Sequence, residues 1–330
     1  MEIKRRDFLK TVAGGAALAL VQPTMALARE KARLPDAAGI LYDATLCIGC
    51  KACMVGCRKA NNLPVEMTGS QNLWDNPMDL SAKTFNIIKK YKNGTGQFKD
   101  REINGFSFIK RHCMHCVDAA CVSACPATAM TKDAKTGIVS YDKDACIGCR
   151  YCQVACPFNI PKFEWDNPFP KITKCQLCDH LLAKDQLPGC CNVCPTGASL
   201  FGPVTALLED AKRRQKMQPG LYYDFSVAST TSGRTQYQPA ARYVPRIYGE
   251  SEVGGTQVLM LAGVPFSKLG LPVLPSTSYV AVAENIQHTL YKGMILPVVA
   301  FGGLAFLVKR SGKKKEMDLP AESGRDIETD

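Results

Sequence analysis

The sequence contains no nucleotide, nickel or molybdopterin motif, which argues against an enzyme that works alone. It also lacks any nucleic-acid-binding fold motif. The formal charge of +11, from 41 Lys and Arg against 30 Asp and Glu, therefore does not point to nucleic acid as a partner. Histidine is scarce. His112, His115, His180 and His288 are the whole complement, and none is needed as a ligand once the cysteines are assigned. Apolar runs of membrane-spanning length are scarce too: the C-terminal candidate, Gly293 to Val308, has sixteen residues, where a full span takes about 20.

Cysteine is what the chain has in excess, seventeen in 330 residues. The odd number fits a complete disulfide framework poorly. Sixteen of the cysteines fall into four quartets. Cys47, Cys50, Cys53 and Cys57 form C-x2-C-x2-C-x3-C, and Cys146, Cys149, Cys152 and Cys156 repeat that spacing. Cys113, Cys116, Cys121 and Cys125 widen the middle gap to four residues, and Cys175, Cys178, Cys190 and Cys194 widen it to eleven. Three thiolates on a tight loop can cap three irons of one cubane, while the fourth leaves on a turn toward a neighbouring cluster. Gly49 and Gly148 allow close backbone approach in two of the loops. Proline follows the last cysteine in three quartets, and Arg58 takes its place in the first. Four such quartets predict four [4Fe–4S] clusters rather than zinc knuckles. Cys191 is left over. Choosing Cys190 as the ligand preserves the final x3 spacing, and the reverse choice stays open. An oxidised cubane held by four thiolates carries about −2, so four of them offset most of the excess Lys and Arg.

Both ends carry targeting signals. Lys4-Arg5-Arg6-Asp7-Phe8-Leu9-Lys10, the apolar run Thr11 to Val21 and Ala26-Leu27-Ala28 predict a twin-arginine export signal over 1–28. That route moves folded proteins, so clusters can be built in the reducing cytoplasm first. Gly293 to Val308, with Tyr291 and Lys292 before it and Lys309, Arg310, Lys313, Lys314 and Lys315 after it, predicts one C-terminal transmembrane anchor over 291–310. Sixteen helical residues rise only about 24 Å. Flanking lysines can snorkel to extend that span. The expected location is the periplasmic face of the cytoplasmic membrane, with 311–330 as a charged cytoplasmic tail.

An internal repeat organises the rest. Tyr42-Asp43-x3-Cys47-Ile48-Gly49-Cys50 recurs as Tyr141-Asp142-x3-Cys146-Ile147-Gly148-Cys149. Cys125-Pro126-Ala127-Thr128-Ala129 likewise matches Cys194-Pro195-Thr196-Gly197-Ala198. Residues 29–205 therefore form a doubled two-cluster region with an insertion near 60–110. Short strands such as Gly137–Tyr141, short helices after each quartet and a helix over Ala206–Gln215 are expected. Residues 206–290 are expected to be mainly an arm that wraps a partner.

These motifs resemble the four-cluster ferredoxin-like subunits of membrane-bound respiratory oxidoreductases, such as formate dehydrogenases. The runs Cys113-Met114-His115-Cys116-Val117-Asp118, Gly254 to Leu259 and Glu284 to Met294 are similar to the HybA-type subunits of quinone-linked periplasmic nickel–iron hydrogenases. The resemblance implies an α+β fold of loop-rich tandem bacterial-ferredoxin-like domains. It also implies that the first and fourth loops exchange their last cysteines, as do the second and third. Cluster one would then use Cys47, Cys50, Cys53 and Cys194, and cluster four Cys175, Cys178, Cys190 and Cys57. Cluster two would use Cys113, Cys116, Cys121 and Cys156, and cluster three Cys146, Cys149, Cys152 and Cys125. The implied role is electron transfer between hydrogenase small and large subunits and an integral membrane quinone-reactive subunit, with no catalysis of its own. The same role beside a molybdopterin oxidoreductase is the alternative.

Overall fold

The computed structural model describes residues 31–67 and 76–317. The expected export signal and residues 318–330 of the expected tail lie outside the described residues. Arg29–Ala281 form one compact unit, and the chain from Val282 onward belongs to a second.

Strand β1 (Ala38–Asp43) leads into the first cysteine loop, which closes on helix α1 (Ala52–Ala60). The insertion that follows is a small sheet of its own. Its strands β2 (Ile87–Lys92), β3 (Phe98–Lys99) and β4 (Gly105–Arg111) lie in the order β2-β4-β3, and β4 runs straight toward the second cysteine loop. That loop carries α2 (Ala120–Ser123) and is followed by the hairpin of β5 (Met130–Lys132) and β6 (Val139–Tyr141). The third loop ends in α3 (Tyr151–Ala155), and the hairpin of β7 (Lys162–Phe163) and β8 (Ile172–Thr173) opens the fourth. Two short helices, α4 (Asp179–Leu182) and α5 (Gly189–Asn192), fill that long loop before β9 (Ser199–Pro203) and α6 (Val204–Gln215).

The two ferredoxin-like units are nested in the chain rather than placed one after the other. In the outer unit, β9 after the fourth loop pairs antiparallel with β1 before the first, with Tyr42 opposite Ser199. In the inner unit, β5 after the second loop pairs with β6 before the third, with Tyr141 opposite Met130. The registers coincide: each tyrosine stands five residues before the first cysteine of its loop, and each partner stands five after the last cysteine of the other loop. The Asp43 amide donates to Ala198 O and the Asp142 amide to Ala129 O, both at 2.8 Å. Gly197 and Thr128, at matching positions, both have positive φ.

Residues 206–290 were expected to reach for a partner, but much of this stretch folds back on the chain itself. After the pair β10 (Tyr222–Ser226) and β11 (Thr235–Pro239), strand β12 (Val258–Leu261) adds to the free edge of β1 in parallel, with Ile40 opposite Val258. This makes a three-stranded sheet in the order β12-β1-β9. Both faces are covered, so β1 is apolar at nearly every position. Ile40 and Tyr42 face the main core, and Leu41 faces α6. Helix α6 follows from apolar residues at helical spacing: Val204, Leu207 and Ala211 are fully buried, and basic residues in its last turn suit the dipole. The last helix, α7 (Tyr279–Met317), is longer than the expected 291–310 span and begins twelve residues earlier. Among the described residues no helix is long and apolar enough to cross a membrane.

Candidate functional site: four nests of thiols

All four cysteine loops share one local device. The third residue of each first C-x2-C has positive φ: 72° at Gly49 and Gly148, 48° at His115 and 54° at Leu177. This turn aims the flanking thiols into the same space. Glycine adopts it without strain, whereas His115 and Leu177 carry a cost of about 1–2 kcal/mol each. At Gly49 the demand is also steric, because a Cβ there would lie 2.5 Å from the Phe108 ring. After the turn, Lys51 (φ 60°) starts α1, which carries Cys53 and Cys57, and Arg150 (φ 65°) starts α3, which carries Cys152 and ends at Cys156.

The thiols gather as three from one loop plus one from another. Cys47, Cys50 and Cys53 line a cavity of about 310 Å³ together with Cys194. Cys146, Cys149 and Cys152 line one of about 360 Å³ with Cys125. Cys116 has Cys113, Cys121 and Cys156 as its electrostatic neighbours. Cys175 has Cys57, Cys178 and Cys190, with Cys113 of the inner unit also in reach. Cys191, fully buried, lies 3.9 Å from Cys190.

Among the described residues no three His, Cys, Asp or Glu groups form a single-ion site. Three thiols from one loop and a fourth from another, lining one space, are the donor set a cubane takes. Its positive iron also answers the electrostatics, since a coordinating thiol is held deprotonated. Burial first, then neighbouring thiolates, pushes Cys57 and Cys121 up to about 12 and Cys152 up to about 11. Cys190 is the exception: a hydrogen bond from Cys191 draws it down despite its burial, with help from Lys110.

Other groups complete the surroundings. Asn61 Nδ2 approaches Cys57 Sγ at 3.7 Å and Cys178 Sγ at 3.8 Å. The Leu177 amide donates to Cys175 Sγ at 3.4 Å. His112 and His115 are buried, and burial holds both imidazoles well below their ordinary pKa. The Val139 amide donates to His115 Nδ1 at 3.0 Å, while Nε2 of both rings has no partner among the described residues. His180 Nε2 lies 2.8 Å from Ala60 O, and His288 is exposed on α7. The run Gly254–Leu259 acquires a local task here. Its backbone pins the second loop through Val117 N to Gly255 O and Gln257 N to Met114 O. Asn61 and Lys110 were missed in the sequence. Asn61 stands one helical turn past Cys57, a weak local signal, and Lys110 had none.

Comparison with known proteins places the chain among iron–sulfur proteins. The family described as a 4Fe-4S dicluster domain matches residues 105–204. The chain is 47% identical over 322 residues to the hydrogenase-2 operon protein HybA of Escherichia coli O157:H7, covering 96% of this chain and 98% of that protein. It is 32% identical over 290 residues to the iron-sulfur subunit of the nitrate-inducible formate dehydrogenase of Escherichia coli K12, covering 84% and 86%. Against the formate dehydrogenase iron-sulfur subunit of Haemophilus influenzae it is 34% identical over 271 residues, covering 80% and 76%.

Proposed function

Because the chain belongs to the HybA family of hydrogenase-associated iron–sulfur proteins, we propose that it is a non-catalytic electron-transfer subunit. It would carry electrons through four [4Fe–4S] clusters between a periplasmic nickel–iron hydrogenase and an integral membrane quinone-reactive subunit. The sixteen ligands are the four mixed sets above, with Cys190 rather than Cys191 in the fourth. When bound, each cluster supplies one-electron chemistry; the residues hold the thiolates, exclude water and set the spacing.

One observation carries this reading. Thiols of successive sets lie within electrostatic reach of one another. Cys53 of the first set neighbours Cys190 of the fourth, Cys175 of the fourth neighbours Cys113 of the second, and Cys121 of the second neighbours Cys152 of the third. The row thus runs one, four, two, three. At the ends of the row Cys50 is exposed and Cys125, Cys146 and Cys149 are partly exposed. A row with accessible ends suits a wire between two partners. The export signal over 1–28 and the exposed apolar residues of α7, among them Val298, Val299, Phe301 and Phe306, support a site at the periplasmic face. There the stretch 291–310 would serve as the anchor.

Deleting the subunit tests the reading. Hydrogen oxidation with a soluble artificial acceptor should survive, and hydrogen-dependent quinone reduction should vanish. If deletion instead abolished formate-linked respiration and left hydrogen-to-quinone flow intact, the molybdopterin partner would be the correct one. Anaerobic analysis should give about sixteen irons per chain.

A further inference from the structure

Lys110 lies on β4, three residues before the second cysteine loop, and has no exposed surface. An ammonium has three donors and is strongly hydrated in water, so burying one demands compensation. Among the described residues no carboxylate pairs with it. Its hydrogen-bond partner is the Ser199 hydroxyl at 3.2 Å, and Ser199 lines the cavity of the first thiol set. A hydroxyl does not balance a full charge. The ligand sulfurs within electrostatic reach of the ammonium are those of Cys53, Cys57, Cys178 and Cys190. Cys53 belongs to the first set; Cys57, Cys178 and Cys190 belong to the fourth. The side chain therefore stands between the two sets of the outer unit, although it comes from the strand that feeds the inner one.

Lys174 shows what a differently compensated lysine looks like. It is also buried, but its ammonium donates to the main-chain oxygens of Val139 and Cys175. Fixed carbonyl dipoles satisfy it. Among the described residues Lys110 has the Ser199 hydroxyl and no main-chain oxygen.

We propose that Lys110 is a positioning residue for electron transfer, its ammonium serving as the counter-charge shared by clusters one and four. This rests on the ligand assignment above. Each added electron makes a cluster more negative, and a nearby buried cation stabilises the reduced form with little screening by salt. Lys110 thus holds these two clusters at higher potential than their thiolates alone would, so that electrons cross between them without a deep step. Clusters two and three, farther along the row, gain less.

The test uses the full chain, purified without oxygen, as Lys110→Met, Lys110→Gln and Lys110→Arg. Iron content is measured first, then each cluster is titrated by electron paramagnetic resonance. At the ambient potential that half-reduces a parental cluster, the neutral variants should show a roughly tenfold lower ratio of reduced to oxidised cluster. That corresponds to about 59 mV downward for one electron. Two of the four signals should shift in this way, and Lys110→Arg should stay close to the parent. Parental iron content with four unmoved signals would overturn the proposal, as would an equal shift of all four. If Lys110→Met loads iron poorly, Lys110→Gln and Lys110→Arg, which keep a polar group near Ser199, decide the matter. Identical potentials in those two would overturn the proposal. A parental protein with fewer than four cluster signals would remove the ligand assignment, and this proposal with it.

Discussion

In the outer unit Asp43 is wholly buried, taking hydrogen bonds from Thr45 Oγ1 at 2.6 Å, Tyr243 OH at 2.8 Å and Arg214 Nη1 at 3.0 Å. Its counterpart Asp142 in the inner unit faces solvent and accepts the amide of Asp144 at 2.8 Å within its own loop. The sequence around the two is nearly the same, and so is the strand register. What differs is the cover. The outer sheet gains β12 on one edge and α6 on one face, and Arg214, stacked 5.1 Å from Phe225, comes from that helix. The inner sheet has two strands, and its third loop leaves Ile147, Tyr151 and Val154 exposed, beside Trp165 and Phe169. The repeat thus specifies how to hold a cluster, and the C-terminal extension decides how deeply one copy is embedded.

The sharpest way to break this comparison is to remove the two aspartates in turn. Asp43→Ala leaves Arg214 short of a buried partner and should cost about 3–5 kcal/mol. Asp142→Ala removes an exposed loop cap and should cost about 1 kcal/mol or less. Anaerobic thermal unfolding of the loaded proteins, read alongside iron retention, compares them; equal losses would mean the extra cover is energetically idle.

A step smaller are the cover itself and the tight turns. Leu207→Ala opens a gap between α6 and the outer sheet and should cost about 2–4 kcal/mol with the iron count kept. Gly49→Ala must strain a left-handed turn and displace Phe108, together about 2–4 kcal/mol. Gly148→Ala has the same φ but meets its nearest atom, Pro170 O, at 3.0 Å, so its cost should stay near the conformational 1–2 kcal/mol. A larger loss at Gly148 would reverse the ranking of the two loops.

The smallest effect belongs to the unpaired thiol of the outer unit. Cys191→Ala should leave the iron count at the parental value and cost about 1 kcal/mol, whereas Cys190→Ala should remove one cluster, about four irons. Iron loss on Cys191→Ala instead would exchange the two assignments.

Much of the site was legible because cysteine spacing is local chemistry: the thiols of one loop, its glycine and its following proline act within about a dozen residues. The mixed sets came from the family pattern, and the nested strand register brings the end of each closing loop back beside the start of its partner loop. The fate of 206–290 was not legible. Val258–Leu261 is an apolar run of four that reads as a buried strand, yet nothing near it says that its neighbour is β1, more than two hundred residues earlier. Lys110 escaped for the same reason. Its neighbours come from three other segments, and β-strand alternation alone suggests only that one of Ile109 and Lys110 points inward. Both are buried.

The parallel pairing of β1 with β12 bears on how the protein is made. A ribosome releases the chain in order, and the inner unit has all its cysteines and both its strands once residue 156 has emerged. The outer unit cannot close then. Its first loop has to wait for Cys194, and its central strand stays open along one edge until residue 261 arrives. Closing so long a loop is slow, because the entropy is lost before the contacts repay it. The cell therefore holds a half-built molecule, with the thiols of the first loop not yet enclosed, while residues 157–261 are made. The last strand acts as the latch that ends this interval.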